Sequence, residues 1–280
     1  MFSSIQFTKM QGVGNDFVLV QAPGGDIIDW PLIAIKLCDR HFGVGADGLL
    51  VLSPSELADV RMRMFNPDGS EDMCGNGLRC IARYAVEHGL AKVNLKAETL
   101  AGLRNASVKV VEGKVLIRVE MGQPLFSPKD IPMSLEADRV LDYPLRLANG
   151  SEIQIWALST GSTHSVTFVE ELPLDEEFFR ISPEVENHPL FPQRTSLMWV
   201  KQAGENRLQI RIWERGAGET WGCGTGACAA AVAAILAGMA EGPVQVVSRG
   251  GSLTVDWNGA GSIYITGPAE SVFTGICNME

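Results

Sequence analysis

The chain mixes two hydrophobic patterns. Segments with apolar residues at every second position, "VRMRMF" (60–65) and "QIRIW" (209–213), predict half-buried β-strands. The short apolar runs in "DGLLVL" (47–52) and "TSLMWV" (195–200) read as further strands. Among them lie two helical segments. "CGNGLRCIARYAVEHGL" (74–90) and "CGTGACAAAVAAILAGM" (223–239) each predict an amphipathic or fully buried helix, ended by glycine as a C-terminal cap. The run 226–240 is too short and too alanine-rich to cross a bilayer.

These two helical segments align without gaps at an offset of 149 residues. Cys74, Gly75, Gly77, Ala82, Ala85 and Gly89 fall on Cys223, Gly224, Gly226, Ala231, Ala234 and Gly238. Upstream, an alternating strand, a turn with a shared glycine (Gly69, Gly218) and an acidic residue precede each cysteine. Further back, "GNDFVLV" (14–20) sits opposite "GSTHSVTF" (161–168), which places His164 opposite Phe17. Aligned blocks in the same order indicate an internal duplication. The expected fold is α+β, with two similar domains that each wrap mixed strands around a central helix; parallel βαβ alternation is not expected. The proline-rich stretch 120–133 holds the join, with domains expected at 1–121 and 122–265.

Composition narrows the class. The 280 residues are 46% apolar and 20% charged, which suits a soluble globular chain. A net charge of −10 without any long basic run argues against nucleic acid as a partner. The first residues show no basic segment followed by an apolar core, so no export signal is expected. Six cysteines in such a chain then read as reduced thiols in the cytoplasm, and no membrane partner is expected. No C-x-x-C pair occurs and no two of the four histidines are spaced i, i+4, so no metal site is expected. "GVGADG" (43–48) has the G-x-G-x-x-G spacing, but "LLVL" behind it reads as strand, which argues against a dinucleotide site.

The chemistry sits at the paired cysteines. A helix start leaves backbone N–H groups unpaired, carries partial positive charge, binds anions and lowers the pKa of a cysteine placed there. Two related domains facing each other would bring two helix starts and two thiols, Cys74 and Cys223, to one cleft. The N–H groups would hold a carboxylate, with one sulfur acting as base and the other as acid on opposite faces of the adjacent carbon. A two-base racemase or epimerase follows, with no cofactor required.

The motifs "GNDF" (14–17), "RHFGVGADG" (40–48), "GSEDMCGNGLRC" (69–80), "ERGAGETWGCGTGACA" (214–229) and "SRGGSL" (248–253) resemble diaminopimelate epimerases. That resemblance implies a pyridoxal-independent epimerase of lysine and peptidoglycan biosynthesis, a homodimer, and a last segment (266–280) that returns to the first domain. It implies Cys74 and Cys223 as the acid/base pair, with His164 and Glu214 assisting proton transfer. It further implies that Asn15, Asn66, Glu214 and Arg215 hold substrate, and that Gly75 with Asn76 and Gly224 with Thr225 cradle the reacting carboxylate. Two departures fall on substrate positions: Ser162 and Ser196 stand where the family usually has asparagine. A serine offers one hydroxyl on a shorter arm, so a racemase of another amino acid, for example histidine, is the alternative. The remaining thiols read as packing (Cys80, Cys228) or carry no motif (Cys38, Cys277). "EELPLDEEFF" (170–179) reads as an acidic surface stretch, and the tryptophans at 156, 199, 213, 221 and 257, scattered through strands, as core or domain-interface packing.

Overall fold

The computed structural model describes residues 4–23 and 28–279; the first three residues, read above for an export signal, lie outside them. The chain forms two compact units, Met1–Glu120 with Thr266–Glu280, and Met121–Ile265. The first opens with β1 (Ser4–Gly12), β2 (Asn15–Gln21), α1 (Trp30–Cys38), β3 (Gly48–Ser53) and β4 (Val60–Phe65). There follow the short β5 (Glu71–Asp72), α2 (Gly75–Glu87), β6 (Asn94–Thr99), β7 (Gly102–Val111) and β8 (Lys114–Gly122). The second runs through β9 (Val140–Arg146), β10 (Glu152–Ser159), β11 (Thr163–Phe168), α3 (Asp175–Glu186) and β12 (Ser196–Gly204). It continues with β13 (Arg207–Glu214), β14 (Gly218–Thr220), α4 (Gly224–Leu236), β15 (Val244–Ser248), β16 (Gly251–Asp256) and β17 (Ile263–Gly267). The last strand, β18 (Glu270–Asn278), pairs antiparallel with β1.

The duplication is visible in the strand ladders. In the first unit β2 is antiparallel to β1 and parallel to β3, and β4 is antiparallel to β3 and β5 and parallel to β6. In the second unit β11 and β13 repeat these relations with β10, β12, β14 and β15. Even the register repeats, since Phe17 faces Gly48 and His164 faces Ser196. The fold is α+β with mixed sheets, but the expectation that βαβ units are absent is corrected. A helix joins each of these parallel pairs, α1 and α2 in one unit, α3 and α4 in the other, because parallel strands cannot be linked by a tight turn.

Helices α1 and α3 leave little trace in the sequence for different reasons. The nine residues of α1 are too few to show periodicity; Asp29 caps it by accepting the Leu32 N–H at 3.1 Å, and Pro31 lies in its first turn. The acidic stretch 170–179 runs into α3, whose Phe178 is wholly buried with Ile181, Val185 and Trp199 in the second unit's core. The rest of that stretch is mostly exposed, as expected of an acidic surface segment. Trp221 also departs from its expected packing role: it is 51% exposed, outside any strand, with the Arg249 guanidinium 4.6 Å from its ring centroid.

Helix α2 buries Leu78, Cys80, Ile81, Ala82 and Ala85, and each fully buried large aliphatic side chain there stabilises the fold by about 1.5–3 kcal/mol. In α4, Ala227–Ala234 are all buried, as expected for a helix enclosed on every side. Both end in the same cap. Gly89 and Gly238 take φ of +69° and +70°, and the next N–H, of Leu90 or Met239, reaches back to Ala85 O or Ala234 O at 2.8 and 2.9 Å.

Glycine is required at their third residue for space. A Cβ on Gly77 would lie 2.8 Å from Leu50 Cδ2, and one on Gly226 would lie 2.5 Å from Met198 Sδ. Gly→Ala in an open helix stabilises by about 1 kcal/mol. Gly77→Ala and Gly226→Ala are instead expected to destabilise by about 1–3 kcal/mol through overpacking, measured by urea denaturation. A gain in stability would contradict the packing described.

Candidate active site

Cys74 and Cys223 occupy the N-cap positions of α2 and α4. Both have extended backbones, φ/ψ of −133°/119° and −123°/116°, and each sulfur accepts the N–H three residues on. Gly77 N lies 3.4 Å from Cys74 Sγ, and Gly226 N lies 3.3 Å from Cys223 Sγ. The first intrahelical bonds run from Leu78 N to Cys74 O and from Ala227 N to Cys223 O, each 2.9 Å. The N–H groups of Gly75, Asn76, Gly224 and Thr225 precede those bonds, at the positive ends of the helix dipoles.

Around Cys74 the first unit brings together residues distant in sequence. Asn15 Oδ1, at the start of β2, accepts from Cys74 Sγ at 3.7 Å and from Asn76 Nδ2 at 3.1 Å. Asn15 Nδ2 donates to Asp47 Oδ2 at 2.7 Å, and the same oxygen accepts the Asp16 N–H at 3.0 Å. Arg40 bonds Asp47 and Asp16 at 2.7 and 2.8 Å, and the buried Lys9 pairs with Asp16 and donates to Gly45 O. Burial works against the Asp16 carboxylate, but its bonds to Arg40 and Lys9 prevail and lower its pKa to about 2. At Asp47 burial dominates and raises the pKa, with the Asn15 and Asp16 donors offsetting part of it. Asn66 sits in the turn before β5, where its amide donates to Ser70 Oγ at 3.0 Å.

Cys223 has different surroundings in the second unit. Burial and the adjacent Glu214 carboxylate push its thiol well above the ordinary range, against the Thr225 and Gly226 hydrogen bonds. This corrects the expectation that a helix start lowers its pKa: desolvation outweighs the dipole. Thr225 Oγ1 is 3.3 Å from the sulfur, and Thr225 O accepts from Thr160 Oγ1 at 2.8 Å. Glu214 accepts from Thr220, and the Arg215 guanidinium donates to Gln193 O at 3.1 Å. His164 is 1% exposed; Ser162 Oγ sits 2.9 Å from its Nε2, and its Nδ1 has no hydrogen-bond partner among the described residues. Burial, reinforced by the Arg215 charge, lowers the His164 pKa to about 3. Ser196 Oγ accepts the Arg215 backbone N–H at 3.0 Å. Both unusual serines therefore have partners within the protein.

Two structural supports went unread in the sequence. Glu186, buried at the end of α3, accepts from Trp213 Nε1 at 2.7 Å, Gly216 N at 2.8 Å and Arg194 at 3.0 Å, which pins the turn carrying Glu214 and Arg215. Nothing marks it among the acidic residues of its segment. Asp47 lies in "GVGADG", a turn followed by β3 and not by a helix, so the phosphate-binding context is absent. Cys80 and Cys228 are fully buried inside their helices. Burial pushes the Cys38 and Cys80 thiols up to about 12. Among the described residues, no group of three His, Cys, Asp or Glu is placed to hold a metal ion. No helix among them is long and apolar enough to cross a membrane.

The family profile described as diaminopimelate epimerase matches residues 7–127 and 156–272. The chain belongs to the diaminopimelate epimerase family. It is 46% identical over 276 residues to the diaminopimelate epimerase of Pelotomaculum thermopropionicum, covering 97% of this chain and 98% of that protein. It is 41% identical to that of Acetivibrio thermocellus, covering 99% of each. Among solved structures it shares its fold with a hydroxyproline epimerase from Agrobacterium vitis (TM-score 0.71, 16% identity, 99% and 93% of the two chains). A Bacillus anthracis phenazine biosynthesis protein of the PhzF family shares it too (TM-score 0.71, 21% identity, 99% and 100%).

With its pKa near 3 instead of the ordinary 6.5, His164 is neutral throughout the physiological range. Its NMR resonances are expected not to titrate between about pH 5 and 8. The stability it contributes is full above pH 6.5 and is lost as pH falls toward 3, where the buried ring must take up a proton. A His164 titration midpoint above pH 5 would contradict this environment.

Proposed function

We propose that this chain interconverts LL- and meso-diaminopimelate, with Cys74 and Cys223 as a two-base pair. One observation carries the reading: two thiols cap two helices in the same backbone geometry, in a chain 41% and 46% identical to diaminopimelate epimerases. One sulfur, as thiolate, takes the α-proton, and the electron pair of the broken C–H bond passes toward the carboxylate. The other, as thiol, gives its proton to the opposite face of the same carbon. Thiol and thiolate exchange places, and nothing is oxidised.

Each residue has a part in this scheme. The N–H groups of Gly75, Asn76, Gly224 and Thr225 stabilise charge on the carboxylate as it develops. Asn15 and Asn66 hold polar groups of the substrate, Glu214 its ammonium and Arg215 its distal carboxylate. His164, neutral and buried, assists by hydrogen bonding, and Ser162 and Ser196 hold His164 and the Arg215 backbone in place. Burial and Glu214 favour Cys223 as the initial proton donor, which makes Cys74 the initial base. Racemisation of another amino acid, the alternative raised by the two serines, is not favoured, because the relatives described above are diaminopimelate epimerases. A cytoplasmic homodimer that uses no cofactor belongs to the same reading.

Serine at either cysteine keeps a side-chain acceptor for the helix cap but removes the thiol acid/base. Cys74→Ser and Cys223→Ser are each expected to retain the fold by circular dichroism. Each is expected to lose about 10²–10⁴-fold in exchange of the diaminopimelate α-proton with solvent deuterium. Full exchange by either variant would overturn the two-base assignment.

A further inference from the structure

The geometry points to Asp47 as a positioning residue that, through Asn15, sets how strongly Cys74 binds its proton. This inference rests on the assignment of Cys74 as an acid/base group. An asparagine amide has two unlike ends, and the one facing Cys74 decides whether the sulfur meets an acceptor or a donor. Asp47 Oδ2 lies 2.7 Å from Asn15 Nδ2 and also accepts the Asp16 N–H. A carboxylate can only accept, so the amide nitrogen must face it. The carbonyl end is thereby turned to Cys74 Sγ at 3.7 Å and Asn76 Nδ2 at 3.1 Å.

Asp47 is itself held on its other oxygen by Arg40 at 2.7 Å. The other charges of the cluster, Lys9 and Asp16, are tied to each other, and Arg40 also bonds Asp16. On the helix side Cys80, Arg79 and Arg83 belong to α2; the Cys80 thiol is raised to about 12 by burial, and Arg83 pairs with Glu87.

The chemical consequence concerns base strength. Reversing the Asn15 amide would add an N–H donor to the sulfur, stabilise the thiolate and weaken it as a base. The α-proton of an amino acid is a weak acid, so its removal needs a strongly basic sulfur. By fixing the amide, Asp47 keeps Cys74 basic without touching sulfur or substrate.

The test is the pH dependence of Cys74 alkylation by iodoacetamide, followed by mass spectrometry of its peptide between about pH 6 and 10. In Asp47→Ala the midpoint is expected to fall by about one unit, and in Asp47→Asn by less in the same direction. In an Asn15→Ala background, Asp47→Ala should no longer move it. The acid limb of kcat/KM should shift downward with the midpoint while the plateau falls. A purely structural role would lower the thermal midpoint without this Asn15 dependence. An unmoved midpoint, or an equal shift with and without Asn15, overturns the inference; should Asp47→Ala fail to fold, Asp47→Asn gives the same reading. Failure of the two-base reading is separable: there, Cys74→Ser keeps its exchange activity whatever the alkylation midpoint does.

Discussion

A sulfur atom that accepts the N–H of a glycine three residues on is the contact on which both halves of this protein are organised. It fixes Cys74 and Cys223 at the N-caps of their helices, with the first backbone N–H groups beside them. The same glycines lie close to the strands, where a Cβ would press on Leu50 Cδ2 or Met198 Sδ. Both helices end in glycine at positive φ, with the same backward bond from the following residue. Each helix is therefore fixed at both ends by its backbone, while its middle is free to differ, amphipathic in α2 and alanine-filled in α4.

The same backbone holds the two thiols in different electrostatic settings, and magnitudes decide the outcome. A helix end contributes about 0.3–1 kcal/mol to a nearby charge, and up to about 2 when partly buried. Burial can move a pKa by about 3–5 units, each unit worth 1.36 kcal/mol. Desolvation therefore prevails at Cys223, where Glu214 adds to it. Cys74 is less enclosed. The neighbours thus give two equivalent backbone positions unequal surroundings.

Charge close to the candidate site residues is paired in both units. Lys9, Asp16, Arg40 and Asp47 form one connected group, and Glu186 collects an indole, a backbone N–H and an arginine. Buried charges left alone would be costly, so such groups resist rearrangement once each partner is in place. They hold the segments that carry Asn15 in the first unit and Glu214 with Arg215 in the second.

The duplication, the two cysteine-capped helices, their glycine caps and the alternating strands were legible in the linear chain. Each depends on local spacing: a period of two, a period of 3.6, or a glycine where φ must be positive. The Cys-Gly-x-Gly twin and the motifs around it were enough to indicate the family. Parallel pairing was not legible, because α1 is too short to show periodicity and α3 hides Phe178 behind acidic neighbours. Nor were the roles of Asp47 and Glu186, which gain meaning only from partners tens of residues away. Only the fold places His164 Nε2 beside Ser162 and the Arg215 N–H beside Ser196. The Cys223 thiol, expected to be acidic at a helix start, is the reverse for a tertiary reason. Sequence specifies which atoms stand at the helix end, but burial and a carboxylate brought by the fold decide how tightly the sulfur keeps its proton.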